Sequence, residues 1–277
     1  MTVSYEGSDY WLHDWSPFIF QFSGGWGLRW YGFAYVLGFL TASWLLSVYF
    51  KKQRSPFNKD QQYNALLILI GGLMLGGRLG YMLLYDLETF LAAPWKIIEV
   101  WKGGMASHGG IAGLAVAVAF LAYHYKQPFW KVADIIVTLG PAGVLFGRIA
   151  NFINGELWGK ISTSSWAVVF PEAVPYGIPR HPSQLYEAVL EGLVVLVFLQ
   201  WRFWKSKVTS RSPGQLSGEF FVLYAVLRIF GEQFREPDAA LILGMSRGIF
   251  YSVLMLIVGG VFIYLAGKRA SVKAKNS

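Results

Sequence analysis

Gly143-Val-Leu-Phe-Gly-Arg-Ile-Ala-Asn-Phe-Ile-Asn-Gly-Glu-Leu-Trp-Gly159 is an apolar run that abruptly admits Arg148, Asn151, Asn154 and Glu156 among glycines. A helix over 146–153 would put Arg148 and Asn151 three residues apart on one face. Asn154-Gly155 then reads as the helix stop, which leaves Glu156 on the exit loop. In water this would be an ordinary helix end with a snorkelling arginine and a cap. Whether it is more depends on the surrounding solvent.

Composition points to lipid. Apolar residues make up 55% of the 277 and charged residues 14%, against averages of about half and about a quarter in soluble domains. Uncharged runs 30–50 and 248–267 are 21 and 20 residues long, each enough to cross a hydrocarbon core about 30 Å thick. The expected fold is therefore an all-α polytopic integral membrane protein, a single membrane domain over 1–277. The spans fall near 29–50, 61–85, 108–125, 130–150, 184–204, 217–235 and 246–267, seven in all. Residues 1–28, acidic and rich in tryptophan and phenylalanine (Trp11, Trp15, Trp26), are expected at the membrane interface. Residues 86–107 read as a loop with a short interfacial helix. Residues 151–182, with four prolines, read as an extramembrane head, and 268–277 as a basic cytoplasmic tail.

A net charge of +8 raises nucleic acid as a partner. The basic residues gather at the ends of apolar segments rather than in a stripe with aromatics, so no nucleic acid is expected. Sorted by side, 14 Lys/Arg flank one face and six the other. That places the tail in the cytoplasm and the N-terminus outside. Glu6, Asp9 and Asp14 without a basic n-region argue against a cleaved signal peptide. The chain has no cysteine, which excludes disulfides, thiolate metal sites and a cysteine nucleophile. Its four histidines show no ligand spacing, so neither a metal nor another cofactor is expected.

Four arginines remain inside or at the edge of spans: Arg78, Arg148, Arg228 and Arg235. Each costs at least about 2.5 kcal/mol at mid-bilayer, so each needs a reason. In this topology Arg148 and Arg235 lie near the outer ends of their spans, with Arg78 and Arg228 deeper. An anionic headgroup entering from the outer leaflet is the natural ligand, since a phosphate satisfies guanidinium groups bidentately where water is scarce. Span six carries Tyr224, Arg228 and Glu232 at i, i+4 and i+8, with Arg235 seven residues past Arg228. A self-neutralising Arg228–Glu232 pair is the plainer alternative; it leaves Arg148 and Arg78 unpaired.

Gly103-Gly-Met-Ala-Ser-His-Gly-Gly110 puts His108 at a helix start among small residues. Histidine suits proton transfer near neutral pH, although a structural imidazole donating to a carbonyl reads equally simply. Arg180-His-Pro-Ser-Gln-Leu-Tyr-Glu187 opens span five, with Ser183 as expected N-cap and Glu187 in the first turn. Tyr31, at the outer end of span one, is either an aromatic-belt residue or part of the site.

These residues together resemble a known family. Gly147 through Gly159, Gly104 through Gly110, Arg180 through Glu187, Tyr224 through Asp238 and Trp30-Tyr31-Gly32 are similar, in order, to motifs of the bacterial phosphatidylglycerol–prolipoprotein diacylglyceryl transferases. The resemblance implies a seven-helix enzyme of the bacterial cytoplasmic (inner) membrane, with its N-terminus and active site toward the outer face. It implies transfer of diacylglycerol from phosphatidylglycerol to the lipobox cysteine of a prolipoprotein, giving a thioether and glycerol phosphate. By motif position, Arg148 and Arg228 are its essential arginines and His108 its histidine. Tyr31, Asn151, Glu156, Gly159 and Glu232 fall on further functional positions. Tyr224 and Arg235 from the span-six stripe complete the expected substrate-binding set. Ala150 stands where the family often has glycine, and the loop between Gly159 and Arg180 is short beside some relatives.

The two readings combine into a mechanism. A cationic site raises the thiolate fraction of the substrate cysteine. His108 takes the proton or positions the headgroup, and Arg148 and Arg228 stabilise the departing phosphate. The expected partners are phosphatidylglycerol, the prolipoprotein signal peptide and membrane lipids, acting on a monomer. A lipid or anion transporter is the competing class, but no inverted repeat or broken mid-membrane helix is visible. A structural scaffold does not account for so many polar groups within spans.

Overall fold

The computed structural model describes residues 1–22, 27–100, 103–237 and 240–275; Trp26, Lys102 and Asp238 lie outside them. Strands β1 (Thr2–Tyr5), β2 (Ser8–Leu12), β3 (Phe18–Gln21) and β4 (Gly27–Arg29) come first. Helices α1 (Trp30–Lys51), α2 (Lys59–Tyr85) and the short α3 (Leu87–Ala92) follow, then a 3-10 turn at Pro94–Ile98. Next come α4 (Ser107–His124), α5 (Phe129–Ile136) and α6 (Gly140–Ile153), then strands β5 (Val168–Val169) and β6 (Pro179–Arg180). Helix α7 (Ser183–Glu187), a π-helical stretch at Ala188–Val194 and α8 (Val195–Lys205) run on without a break. Helices α9 (Val208–Arg211), α10 (Gln215–Gly231) and α11 (Arg247–Lys275) complete the chain, with a 3-10 turn at Glu232–Phe234 after α10.

Among the described residues, five helical stretches are long and apolar enough to cross a membrane: Trp30–Lys51, Lys59–Tyr85, Phe129–Ile153, Ser183–Lys205 and Arg247–Val272. They leave Trp44, Leu67, Leu84, Val197 and Ile257 exposed, a density of large apolar side chains that water does not tolerate and hydrocarbon requires. The chain is thus a mostly helical integral membrane protein. The two other expected spans fall on α4 and α10, which are shorter, at 18 and 17 residues.

The expectation of an all-α chain needs one correction, a small β head. Strands β1, β2, β5 and β6 form a four-stranded sheet in that order, while β3 pairs with β4. Glu6 and Gly7 both take positive φ, at 48° and 78°, the primed turn whose twist matches a two-residue hairpin. β2 then pairs in parallel with β5, joining the N-terminal segment to residues of the 151–182 loop. Tyr10, Ala167 and Val169 are buried in one cluster, and Phe152, Val168, Phe170 and Ala173 in another. The aromatic residues read as interfacial therefore help build a core: Trp11 packs against the second cluster.

The chain forms two compact units, residues 1–41 with 137–277 and residues 42–136. In the second, α2 begins at a capping box. The amide of Gln61 donates to Asn58 Oδ1 at 2.9 Å, and the amide of Asn58 to Gln61 Oε1 at 3.0 Å. In the first, α6 starts with Pro141 in its opening turn and stops at Asn154. Gly155 follows at φ 67°, the left-handed stop expected from the sequence. Ser183 is not the N-cap: Pro182 holds that position without a side-chain bond, and Ser183 Oγ donates to the carbonyl of Leu157 at 3.1 Å. Gly192 lets α6 come close, since a Cβ there would stand 2.6 Å from Leu145 Cα. Leu145 lies one turn before Arg148.

Candidate active site

That close approach carries Arg148 to two carboxylates with 0% exposure, Glu187 and Glu191. Arg148 Nη1 lies 3.0 Å from Glu187 Oε2 and Nη2 lies 3.2 Å from Glu191 Oε2. Arg228 of α10 reaches the same pair from its own helix. Its Nη1 is 2.7 Å from Glu187 Oε1 and 2.9 Å from Glu191 Oε1, and its Nη2 is 2.7 Å from Glu232 Oε2. Arg235 Nη1 adds a contact of 3.1 Å to Glu187 Oε1, and the Tyr224 hydroxyl donates to Glu191 Oε2 at 3.0 Å. Among the described residues, three arginines and three glutamates thus share one network between α6, the α7–α8 rod and α10 with the turn after it.

This arrangement changes the reading of Arg148, which is ion-paired and not alone. The Arg228–Glu232 pair exists as well, but as one edge of a larger network. Among the described residues the network sets three guanidinium groups against three carboxylates. Its two sides differ in access. Glu187 and Glu191 are fully enclosed, whereas the Arg148 and Arg228 side chains keep 18% and 12% of their surface. Enclosed carboxylates hold the guanidinium groups from behind, and the open edges belong to the arginines. Fixed guanidinium donors lose less freedom on binding an anion than loose ones.

The signature loop is tied down separately. Asn151 Nδ2 donates to Glu156 Oε1 at 2.7 Å, so these two expected residues bind each other. Gln184 Nε2 donates to the Glu156 carbonyl at 2.6 Å. The Gly159 amide donates to the His181 carbonyl at 2.9 Å. A Cβ at Gly159 would fall 2.5 Å from the carbonyl oxygens of both His181 and Phe234, so only glycine fits between them. Gly159 also bridges to Arg235, which links this loop to the arginine network. Tyr31 sits in the first turn of α1, its ring 5.3 Å from that of Tyr35. His108 and Arg78 belong to the other unit, where His108 is the second residue of α4.

Glu191 is the member of this network that sequence reading missed, and Glu187 was read only as part of a helix start. The signal was present: two carboxylates four residues apart in the otherwise uncharged run 183–201. Acidic groups inside a span need partners as much as arginines do.

Fold and site together define a mostly helical membrane protein in which arginines and buried glutamates pair across helices. Comparison with known proteins gives the family. The model of the prolipoprotein diacylglyceryl transferase family matches residues 17–265. The phosphatidylglycerol–prolipoprotein diacylglyceryl transferase of Rhizobium meliloti (strain 1021) is 44% identical over 254 residues, covering 88% of this chain and 89% of the relative. Those of Mannheimia succiniciproducens and Pasteurella multocida are each 43% identical, over 259 and 261 residues, covering 92% and 93% of this chain and 94% of each relative. The chain belongs to the prolipoprotein diacylglyceryl transferase family, transferases of lipoprotein biosynthesis.

Proposed function

We propose that this chain carries out the transfer for which its family is named, with Arg148 and Arg228 as the groups that stabilise the departing phosphate. Phosphatidylglycerol is the donor and the lipobox cysteine of a prolipoprotein the acceptor. The cysteine sulfur forms a bond to the glycerol carbon of the diacylglyceryl group while the bond from that carbon to the phosphate oxygen breaks. The thiol proton goes to a base, and the electron pair of the broken bond leaves with glycerol phosphate. A phosphodiester of charge −1 thus becomes a phosphate monoester that gains negative charge as it departs. The observation that carries this reading is the pair of partly open guanidinium groups braced by Glu187 and Glu191. Donors fixed in advance where charge develops contribute most in a water-poor site.

A thiol with an ordinary pKa of about 8.5 is mostly protonated near neutral pH. His108 is the candidate that takes the proton. Asn151 and Glu156 shape the signature loop beside the headgroup, Gly159 and Arg235 join that loop to the network, and Tyr31, Tyr224 and Glu232 complete the binding set. In this reading the chain is a monomer crossing the bacterial cytoplasmic membrane seven times, N-terminus outside and tail in the cytoplasm. The 14-to-six division of basic residues supports that orientation and an active site toward the outer leaflet. The test is the purified protein with phosphatidylglycerol and a lipobox peptide. The expected product is the peptide heavier by one diacylglyceryl group and absent with a Cys→Ser peptide. An equal adduct on the serine peptide, or lipid flux across liposomes with no covalent product, overturns the reading.

A further inference from the structure

The mechanism above does not use Arg78. It is 7% exposed within α2, and its guanidinium serves three backbone carbonyls. Nη1 donates to Gly103 at 2.6 Å and to Gly104 at 3.2 Å, and Nη2 donates to Lys96 at 3.0 Å. The plane also lies near the Tyr81 ring, 5.8 Å from its centroid. These are uncharged acceptors. A charge inside a span that spends its donors on the peptide chain fixes the course of that chain.

The segment it fixes leads directly into His108. Gly103 and Gly104 take φ of 79° and 72°, two successive left-handed residues whose carbonyls both meet one guanidinium nitrogen. A Cβ at Gly104 would lie 2.6 Å from the Tyr81 ring and 2.7 Å from Arg78 Nη1, so the turn is fitted to this arginine. The Ala106 amide then donates to the Gly77 carbonyl at 2.9 Å, one residue before Arg78 in α2. Helix α4 begins at Ser107. His108 is the fourth residue after Gly104, the second clamped position.

We propose that Arg78 is a positioning residue for the transfer: it locks the Gly103-Gly104 turn and so sets where α4 begins and where His108 is presented. The inference rests on the reading of His108 as a site residue. A misplacement of about 1 Å at a reacting group lowers turnover by about 10²-fold. Loss of this clamp acts on kcat and leaves the KM for phosphatidylglycerol nearly unchanged.

The test compares Arg78→Gln, Arg78→Lys, His108→Gln and the double variant Arg78→Gln/His108→Gln, purified and assayed with phosphatidylglycerol and lipobox peptide. Arg78→Gln is expected to lose about 10²-fold in kcat, and Arg78→Lys to recover part of it. The double variant is expected to be no slower than His108→Gln alone, because positioning no longer matters once the positioned side chain is gone. Faster amide exchange over residues 103–110 accompanies the loss. If Arg78→Gln does not insert, Arg78→Lys carries the same comparison, since one ammonium does not reproduce the planar fork. Multiplying losses in the double variant, or full turnover without Arg78 while His108→Gln is slow, overturns the proposal. Full turnover in His108→Gln instead removes the reading of His108, and the proposal with it.

Discussion

Replacing Glu191 by glutamine isolates the brace from everything else in the site. The side chain keeps its size and loses its charge. Glu191 has no exposed surface and accepts from Arg228 Nη1 at 2.9 Å, Arg148 Nη2 at 3.2 Å and the Tyr224 hydroxyl at 3.0 Å. Whichever way the amide turns, an NH2 faces a guanidinium or hydroxyl donor. The network falls from three arginines against three glutamates to three against two. Removing one partner of a buried ion pair costs about 3–5 kcal/mol. Glu187, still bonded to both arginines, holds the effect near the lower end. For a chain of this size that corresponds to a fall in Tm on the order of 10 °C. Turnover should fall further, by about 10²-fold, because Arg148 and Arg228 lose a common anchor and drift from the phosphate. Thermal unfolding in detergent and the peptide transfer assay read the two effects separately. An unchanged Tm together with undiminished turnover would falsify the claim that this carboxylate holds the arginines in place.

Three further outcomes follow from the same geometry. Arg148→Ala and Arg228→Ala should each lower transfer by at least about 10²-fold, the usual effect of removing one donor to a developing oxyanion, with membrane insertion intact; retained activity removes that residue from the phosphate role. Gly159→Ala forces a Cβ to within 2.5 Å of two carbonyl oxygens and should cost about 1–3 kcal/mol by overpacking, seen as a lower Tm. His13 is buried among Trp11, Trp15, Phe152 and Phe170 in the head, and burial holds its pKa below 6.5. The unfolded chain then binds a proton that the folded head resists, so stability should fall as pH drops below 6.5. His13→Phe should shallow that dependence in thermal unfolding from pH 7.5 to 5.5, leaving the part due to His181, whose pKa burial also lowers.

Much of this architecture is legible in the sequence because lipid imposes a strong rule on composition. The five long apolar helices among the described residues and the helix stop at Asn154-Gly155 follow from that rule and from glycine's access to positive φ. The pairing of the arginines is not legible. Arg148 meets a glutamate 43 residues away and Arg228 meets one 37 residues before it, and no local pattern encodes a contact between three different helices. The π-helical stretch at Ala188–Val194 leaves the same apolar signature as an α-helix. The β head was missed for a different reason. The Glu6-Gly7 turn and the short strands around it are visible, but aromatic residues next to a membrane chain read as an interface belt before they read as a core. Ser183 shows how proline overrides a capping rule: Pro182 already occupies the cap position, and the hydroxyl serves the Leu157 carbonyl instead.

The central claim is that the carbon–oxygen bond to phosphate breaks while Arg148 and Arg228 receive the departing charge. The most direct measurement counts glycerol phosphate released against diacylglyceryl peptide formed in the same reaction, for the wild type and for Arg228→Ala. The account predicts one glycerol phosphate for each peptide adduct, a sulfur–carbon link in that adduct that survives hydroxylamine even where its two acyl esters are cleaved, and loss of both products together in the variant. A link at the cysteine sulfur that hydroxylamine cleaves, as in an S-acyl adduct, release of another headgroup product, or equal turnover in Arg228→Ala would contradict it.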